Sequence, residues 1–348
     1  LSLASPAPSR LSTALAALPR AVFAAVMNLG ERPMAALQRR FGIANLAYAF
    51  LLPNLVIFGL FSFWPSILNI WMSFTGGSSP IVSDRPFVGL ANYAELLACQ
   101  SYLEPKTCPV GGYSFWVSLW NTLLFALIQV PVMTAVALAT AVVLNREIRF
   151  RGFWRAIYFY PVMLSPVVVA IIWDWILKRR GILNNLLVSM SGGDIQPVAW
   201  LIDESTSWPF FWTIVVYTWA HLGFYMLILL AGLQAIPKDL YEAAELDGTP
   251  AWRQFTRITL PLLMPTLLVV LVLSLIKAFQ VFDEVYVLTG GGPGQATKMM
   301  IQHIYETAFS SEAKLYGVAA ASSVLLALII LALTAVQLRV TRSSSGAT

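Results

Sequence analysis

Six apolar runs, each long enough to cross a lipid bilayer, leave this chain few folds to choose from. They lie at about 46–64, 116–144, 153–177, 209–233, 260–282 and 315–340 of the 348 residues. A bilayer crossing takes about twenty predominantly apolar residues in a helix. Inside lipid every backbone N–H and C=O must be satisfied within the segment, so apolar runs of this length become helices. The composition agrees: 58% of residues are hydrophobic and only 11% charged, and the mean hydropathy is +0.72. Prolines fall inside several runs (Pro131, Pro161, Pro166, Pro265), which spans tolerate when neighbouring groups satisfy the freed carbonyls. The expectation is an all-α integral membrane protein with six transmembrane helices and no soluble domain.

Lysine and arginine placement orients such a chain, because the cytoplasmic side carries the excess. Arg10, Arg20, Arg32, Arg39 and Arg40 precede the first run. Arg146, Arg149, Arg151 and Arg155 follow the second, Lys238, Arg253 and Arg257 the fourth, and Arg339 and Arg342 the last. The other side holds about half as many, among them Arg85, Lys106, Lys298 and Lys314, with Lys178, Arg179 and Arg180 running against the trend. Both termini and the loop after the fourth run are therefore expected in the cytoplasm. The net charge of +5 follows from this asymmetry and does not point to nucleic acid. Residues 11–27 are apolar but interrupted by Pro19 and Arg20, which favours an amphipathic helix on the membrane surface over a seventh span. They also resemble a signal peptide in outline, without a clear small-residue cleavage site. Cys99 and Cys108 fall together in the loop after the first run, on the oxidising side, where they either form a structural disulfide or stay free.

Between two of the most apolar runs lies a charged island, LYEAAELDGTPAWRQFTRITLP, at 240–261. Pro237 and Asp239 suit a helix start and Gly248 suits a helix stop. The expected local structure is a short helix over 238–247, a turn at 248–250 and a second short helix from 251 towards 259. Ala243 and Ala244 would let a partner approach closely, and Glu242, Glu245 and Asp247 give an acidic edge. The pattern is Glu242-Ala243-Ala244, three residues, Gly248, nine residues, then Ile258-x-Leu260-Pro261. It resembles the signature loop of bacterial ABC importer permeases. The resemblance implies a type I importer permease fold over 46–340, with an arm at 1–45, a coupling loop at 237–261 and a tail at 341–348. It implies that Glu242, Ala243, Ala244, Asp247, Gly248, Leu260 and Pro261 dock on an ATPase subunit.

Other motifs narrow the resemblance to carbohydrate importers. Trp64-Pro65-Ser66, Ser73-Phe74 and Phe87-x-Gly89-Leu90-x-Asn92-Tyr93 look like the first span and outer loop of sugar-type permeases. FDEVYVLTGGGP at 282–293 is similar to the maltose, polyol and glycerol-3-phosphate class. No Gly-Lys-Ser/Thr follows its glycines, so it is not a phosphate loop. The basic stretch 149–155 reads as anchoring at the cytoplasmic face. Asp174 reads as paired or hydrated rather than as part of a proton relay. In the fourth run, Trp219, Leu222, Gly223 and Tyr225 lie where the resemblance places substrate contacts, and aromatic faces suit the C–H surface of a pyranose. In the fifth, Ser274, Lys277, Val281 and Glu284 recur at helical spacing with Gln280 at the edge. Lys277 is expected either to pair with Asp283 or Glu284 or to meet substrate. Lys277 and Ala278 depart from the maltose-type pattern, which bears on maltodextrin as the cargo.

By resemblance the chain is one subunit of a binding-protein-dependent importer in the bacterial inner membrane, working by alternating access. Its implied partners are a second permease, two ATPase subunits that hold ATP and magnesium, and an extracytoplasmic solute-binding protein. The chain itself would hold no cofactor or metal, since His221 and His303 stand apart, and no nucleophile–base pair indicates an enzyme. Two alternatives stay open: an anionic cargo such as glycerol 3-phosphate or a sugar acid, and an ion-coupled secondary transporter.

Overall fold

A computed structural model of the chain describes residues 38, 42, 48, 51–99, 101, 102, 104, 108, 110–310 and 314–345. The expected surface helix at 11–27 lies outside the described residues. The chain divides into two units, Leu1–Leu68 and Asn69–Thr348. In the first, residues 51–68 are helical, with a π-helical turn at Gly59–Phe63, and carry exposed Leu, Ile and Phe side chains. That is the surface of a helix made for lipid.

Among the described residues the second unit has four long helices. With α1 as Leu51–Met72 and α2 as Ala91–Leu97, α3 is Val110–Asn145. A broken segment follows: α4 (Arg151–Phe159), α5 (Pro166–Leu177) and α6 (Ile182–Met190). Next come α7 (Trp208–Gln234), α8 (Asp239–Leu246) and α9 (Ala251–Phe279). The chain ends with α10 (Asp283–Thr289), α11 (Met300–Tyr305) and α12 (Tyr316–Ser345). The core lies where α3, α7 and α9 meet, through Phe125, Met133, Ala137 and Ala141, Tyr225, Met226 and Leu229, and Leu263 and Val270. Lipid offers no hydrophobic drive for helices to associate, so close approach and buried polar contacts hold them together. Ala137 and Ala141, both fully buried, let the backbones approach. Gln129 Nε2 donates to Thr218 Oγ1 across the α3–α7 contact at 3.0 Å.

Among the described residues five helices are long and apolar enough to cross a membrane, and the α4–α5–α6 segment makes a sixth crossing only with a bend of 100°. The third run is thus a crossing broken by a corner. Pro131 and Pro265 sit inside continuous helices. Pro161 and Pro166 do not, because a 3₁₀ turn at Tyr160–Met163 is followed by Leu164 and Ser165 in extended conformation. The residue before a proline is pushed out of the helical region, and here two close prolines leave room for a corner. α7 crosses the end of α4 at Gly223. A Cβ there would meet the Tyr158 carbonyl and lie 2.6 Å from Phe159 Cα. Lys178, which runs against the charge trend, pairs with Asp174 at 2.9 Å. Asn184, fully buried, ties the following loop by donating to the Val198 carbonyl and accepting from Trp200 Nε1.

At the end of the bundle where α12 begins, the first outer motif acquires a purpose. Asn92 Nδ2 donates to the carbonyls of Ser73 and Thr75 at 2.8 and 3.0 Å, and the Tyr93 and Ser73 hydroxyls bond at 2.6 Å. Arg85 Nε donates to Thr75 Oγ1 at 2.9 Å, Arg85 Nη1 to the Ser79 carbonyl at 3.0 Å, and the guanidinium lies over the Tyr316 ring. Gly317 of α12 packs so tightly on this knot that a Cβ would collide with the Thr75 carbonyl. Cys99 and Cys108 are disulfide-bonded, with Cα atoms 4.3 Å apart.

Candidate functional site: a helical loop and a membrane-embedded polar pair

The charged island folds nearly as its punctuation predicts, with one correction at each end. α8 spans Asp239–Leu246, yet its first turn has no side-chain cap; Tyr241 and Glu242 N–H groups bond the Lys238 carbonyl instead. Gly248 stops the helix at φ +69°, a conformation that costs a side-chain-bearing residue about 1 kcal/mol. The Thr249 N–H then reaches back to the Ala244 carbonyl at 2.8 Å. The second helix does not end near 259. It runs on as α9 to Phe279 through a π-helical turn at Phe255–Thr259. Pro261 has no N–H to offer the helix, and the widened turn sits just before it.

The loop is braced from its own side. The Tyr241 and Thr259 hydroxyls bond at 2.9 Å, joining α8 to α9, and Gln254 Nε2 donates to the Thr249 carbonyl at 3.0 Å. Beneath them lies a hollow of about 290 Å³ lined by residues of α3, α7, α8 and α9, Asn145 and Phe255 among them. Ala244 faces inward and is buried, so of the small pair only Ala243 is presented outward, with Glu242, Asp247 and Gly248. Pro261 is exposed and Leu260 half-buried. Two residues that the sequence reading passed over stand out instead: Leu246 is 89% exposed and Trp252 74% exposed. An apolar residue closing an otherwise acidic helix was the available signal. At the loop's base Gln234, with its amide oxygen turned to α4, accepts from Arg151 and Arg155.

Within the membrane the expected face of 274, 277, 281 and 284 does not exist as one helix face. α9 ends at Phe279, and Gln280, Val281 and Phe282 form a break before α10. Ser274 and Val281 are buried, Ser274 bonding the Leu271 carbonyl at 3.1 Å. Leu222, Gly223 and Tyr225 are enclosed by their own chain. Trp219, Lys277 and Gln280 are exposed. Glu284 turns from Lys277 to His221, 3.5 Å from Nε2. The imidazole stacks on Tyr217 with ring centres 4.2 Å apart, and its Nδ1 lies 3.0 Å from the Tyr217 carbonyl. No spacing in the sequence joins α7 to α10, so this pair was not legible. Among the described residues no group of three His, Cys, Asp or Glu residues has the arrangement of a metal centre.

The helix pattern and the loop agree with an independent similarity. Residues 132–344 match the family described as binding-protein-dependent transport system inner membrane component. The chain belongs to this family. It is a permease subunit of a binding-protein-dependent ABC importer, a multi-pass inner-membrane protein, and the ion-coupled alternative is set aside. The permease is 36% identical over 299 residues to the trehalose/maltose transport system permease protein MalF of Thermococcus litoralis, covering 86% of this chain and 94% of that one. It is 31% identical over 306 residues to the sn-glycerol-3-phosphate transport system permease protein UgpA of Agrobacterium fabrum, covering 84% and 94%. Its fold resembles a chain in the crystal structure of a bacterial ABC transporter involved in import of the acidic polysaccharide alginate. The TM-score there is 0.70 at 24% identity, covering 90% of this permease and 99% of that chain.

Proposed function

We propose that this permease imports a neutral carbohydrate, with a second permease as its membrane partner, two ATPase subunits on the cytoplasmic side and a solute-binding protein outside. The observation that carries the coupling half of this reading is the pair Leu246 and Trp252, standing out from a helix–turn–helix braced by Tyr241, Thr259 and Gln254. Large apolar side chains presented by a rigid support are what a partner's cleft buries, and tryptophan is enriched among residues that dominate such interfaces. Glu242, Ala243, Asp247 and Gly248 surround them as the polar rim. With α8 rigidly joined to α9, a push on the loop is transmitted to the membrane helix, which is the requirement for ATP-driven alternating access. ATP and magnesium belong to the ATPase subunits. The Lys and Arg asymmetry supports cytoplasmic termini, the arm at 1–45 and the tail at 341–348 included.

The test is co-purification of the tagged permease in mild detergent with subunits identified by mass spectrometry. An ATPase and a second permease should be recovered from the native chain, and the ATPase lost from Leu246→Asp while the second permease stays. Recovery of the chain alone, transporting without ATP, would sink the proposal.

The cargo reading rests on likeness to the trehalose/maltose permease and on the motifs at 87–93 and 282–293. Lys277 favours a second reading. It is exposed in a membrane helix and has no ion-pair partner within 4 Å among the described residues, so an anionic solute would find a cation there. Uptake of glycerol 3-phosphate that vanishes in Lys277→Met, with ATPase assembly intact, would select that reading over the neutral one.

A further inference from the structure

The end of the bundle remote from the α8–α9 loop holds a second constellation with the chemistry of a ligand site. Phe282, Tyr286 of α10, Tyr305 of α11 and Phe309 form a connected series of rings. Centroid distances are 5.2 Å from Phe282 to Tyr286, 5.8 Å from Tyr286 to Tyr305 and 5.6 Å from Tyr305 to Phe309. The two tyrosines are each 38% exposed and Phe309 64%. Beside the rings lies a hollow of about 330 Å³ lined by Tyr286, Lys298, Glu306, Thr307 and Ser310. That volume is at the lower end of the ~300–1,000 Å³ usual for small-molecule sites.

The polar wall is pre-assembled. Lys298 Nζ lies 2.6 Å from Glu306 Oε2, and Gln302 Nε2 donates to Glu306 Oε1 at 2.8 Å. Gln302 Nε2 also bonds the Gly290 carbonyl at 2.8 Å, which pins the wall to the glycine-rich turn after α10. Backbone carbonyls of Gln295 and Lys298 are held by Asn121 of α3, so the turn cannot drift from the bundle. This site is separate from the His221–Glu284 pair: Glu284 and Tyr286 are two residues apart on α10, hence on different sides of it, and Glu284 is buried where Tyr286 is exposed.

We infer that this hollow is an outer saccharide-binding subsite, where a pyranose lies against Tyr286 and its hydroxyls meet Lys298, Glu306 and Ser310. Tyr286, backed by Phe282 and Tyr305, supplies the apolar face that a sugar's C–H surface requires. An ammonium carries three donors, of which Glu306 takes one, and carboxylate lone pairs beyond the two hydrogen bonds can still accept. A fully apolar ligand would leave that wall unmatched. An anion would have to displace Glu306 from Lys298, so the charge balance selects a neutral sugar. α9 carries the chain away from the coupling loop to this end, so a solute arriving from outside meets the subsite before it reaches the depth of His221. The inference rests on the carbohydrate reading proposed above.

The experiment uses the assembled transporter in membrane vesicles with Ser310→Cys. The two native cysteines are disulfide-bonded, which makes the new thiol unique in this chain. Maleimide labelling of its peptide is followed by mass spectrometry with trehalose, maltose or glycerol 3-phosphate present, alongside ATP-dependent uptake of each. A neutral sugar that is imported should slow labelling. In Tyr286→Ala, about three- to tenfold more sugar should be needed for half-protection, in line with the loss of one stacking ring, while Tyr286→Phe should behave as the parent. Import of a neutral sugar with no change in labelling would overturn the subsite and leave the cargo reading standing. Import of glycerol 3-phosphate alone would overturn both. Labelling blocked in the assembled transporter before any sugar is added would overturn the subsite in favour of burial under the second permease.

Discussion

The two ends of the bundle treat their side chains in opposite ways. Around Thr75, Arg85, Asn92 and Gly317 the chain turns polar groups inward and satisfies them itself. Around Gly248 it braces a short helix from beneath and leaves Leu246 and Trp252 without cover. The first arrangement is self-sufficient, and its hydrogen bonds belong to the stability of the chain. The second leaves apolar side chains uncovered, and on the coupling reading proposed above they contribute only when a partner supplies the missing surface. A change at the first end should therefore be read out in folding, and a change at the second in assembly.

The comparison breaks most decisively at Gly317. Gly317→Val places a branched side chain against the Thr75 carbonyl and beside Asn92 and Arg85. The knot must open, and overpacking at backbone typically costs about 1–3 kcal/mol or more; the expected outcome is loss of monodisperse protein on size-exclusion chromatography. At the other end, Trp252→Ala should weaken ATPase binding by at least ~2 kcal/mol, roughly thirtyfold, measured by titration of the ATPase onto the reconstituted permease. Its thermal midpoint should hardly move, since exposed positions change stability by about 0.5 kcal/mol or less. If Trp252→Ala unfolded the permease, the contrast between the ends would fail.

A subtler probe is Gly248→Ala. Nothing lies within 4 Å of the added Cβ, so only the positive φ is penalised, by about 1 kcal/mol. The loop should loosen with a modest drop in ATPase stimulation and no change in packing. The smallest effect is a slope with pH. His303, buried beside Ser114 and Ser322, is pushed down to about 4 by burial, with Lys298 adding to the effect. The unfolded chain takes up this proton near pH 6.5 and the folded chain only near 4, so the unfolded state binds more protons between the two values. Stability should be unaffected above about pH 6.5 and fall as pH drops from there towards 4. Thermal unfolding across that window, compared with His303→Gln, should show the slope disappear in the variant.

What the sequence discloses follows what is local. Six apolar runs, the stop at Gly248 and the two helices around it are set within a few residues, and they are legible. The corner in the third crossing is less so, because Pro131 and Pro265 are absorbed by continuous helices whereas Pro161 and Pro166 are not. The surroundings differ too: just before the corner α7 packs on the backbone of Tyr158 and Phe159 through Gly223. The face from 274 to 284 was extrapolated through Gln280, where the helix stops. Ala244 turns inward although periodicity alone permits either side. The motif at 87–93 is visible as letters, but its use, Asn92 bonding carbonyls seventeen and nineteen positions earlier, depends on the path of the chain.

The π-helical turn at Phe255–Thr259 has a consequence of its own. A π turn accommodates one residue more than the α turn it replaces, and one residue corresponds to about 100° of rotation about a helix axis. The azimuth at which Trp252 leaves the near side of this turn is thus set independently of the azimuth at which Leu263, Val270 and Ser274 enter the protein interior on the far side. A single residue gained or lost here would re-aim Trp252 without moving the buried side chains of α9 on the far side of the turn.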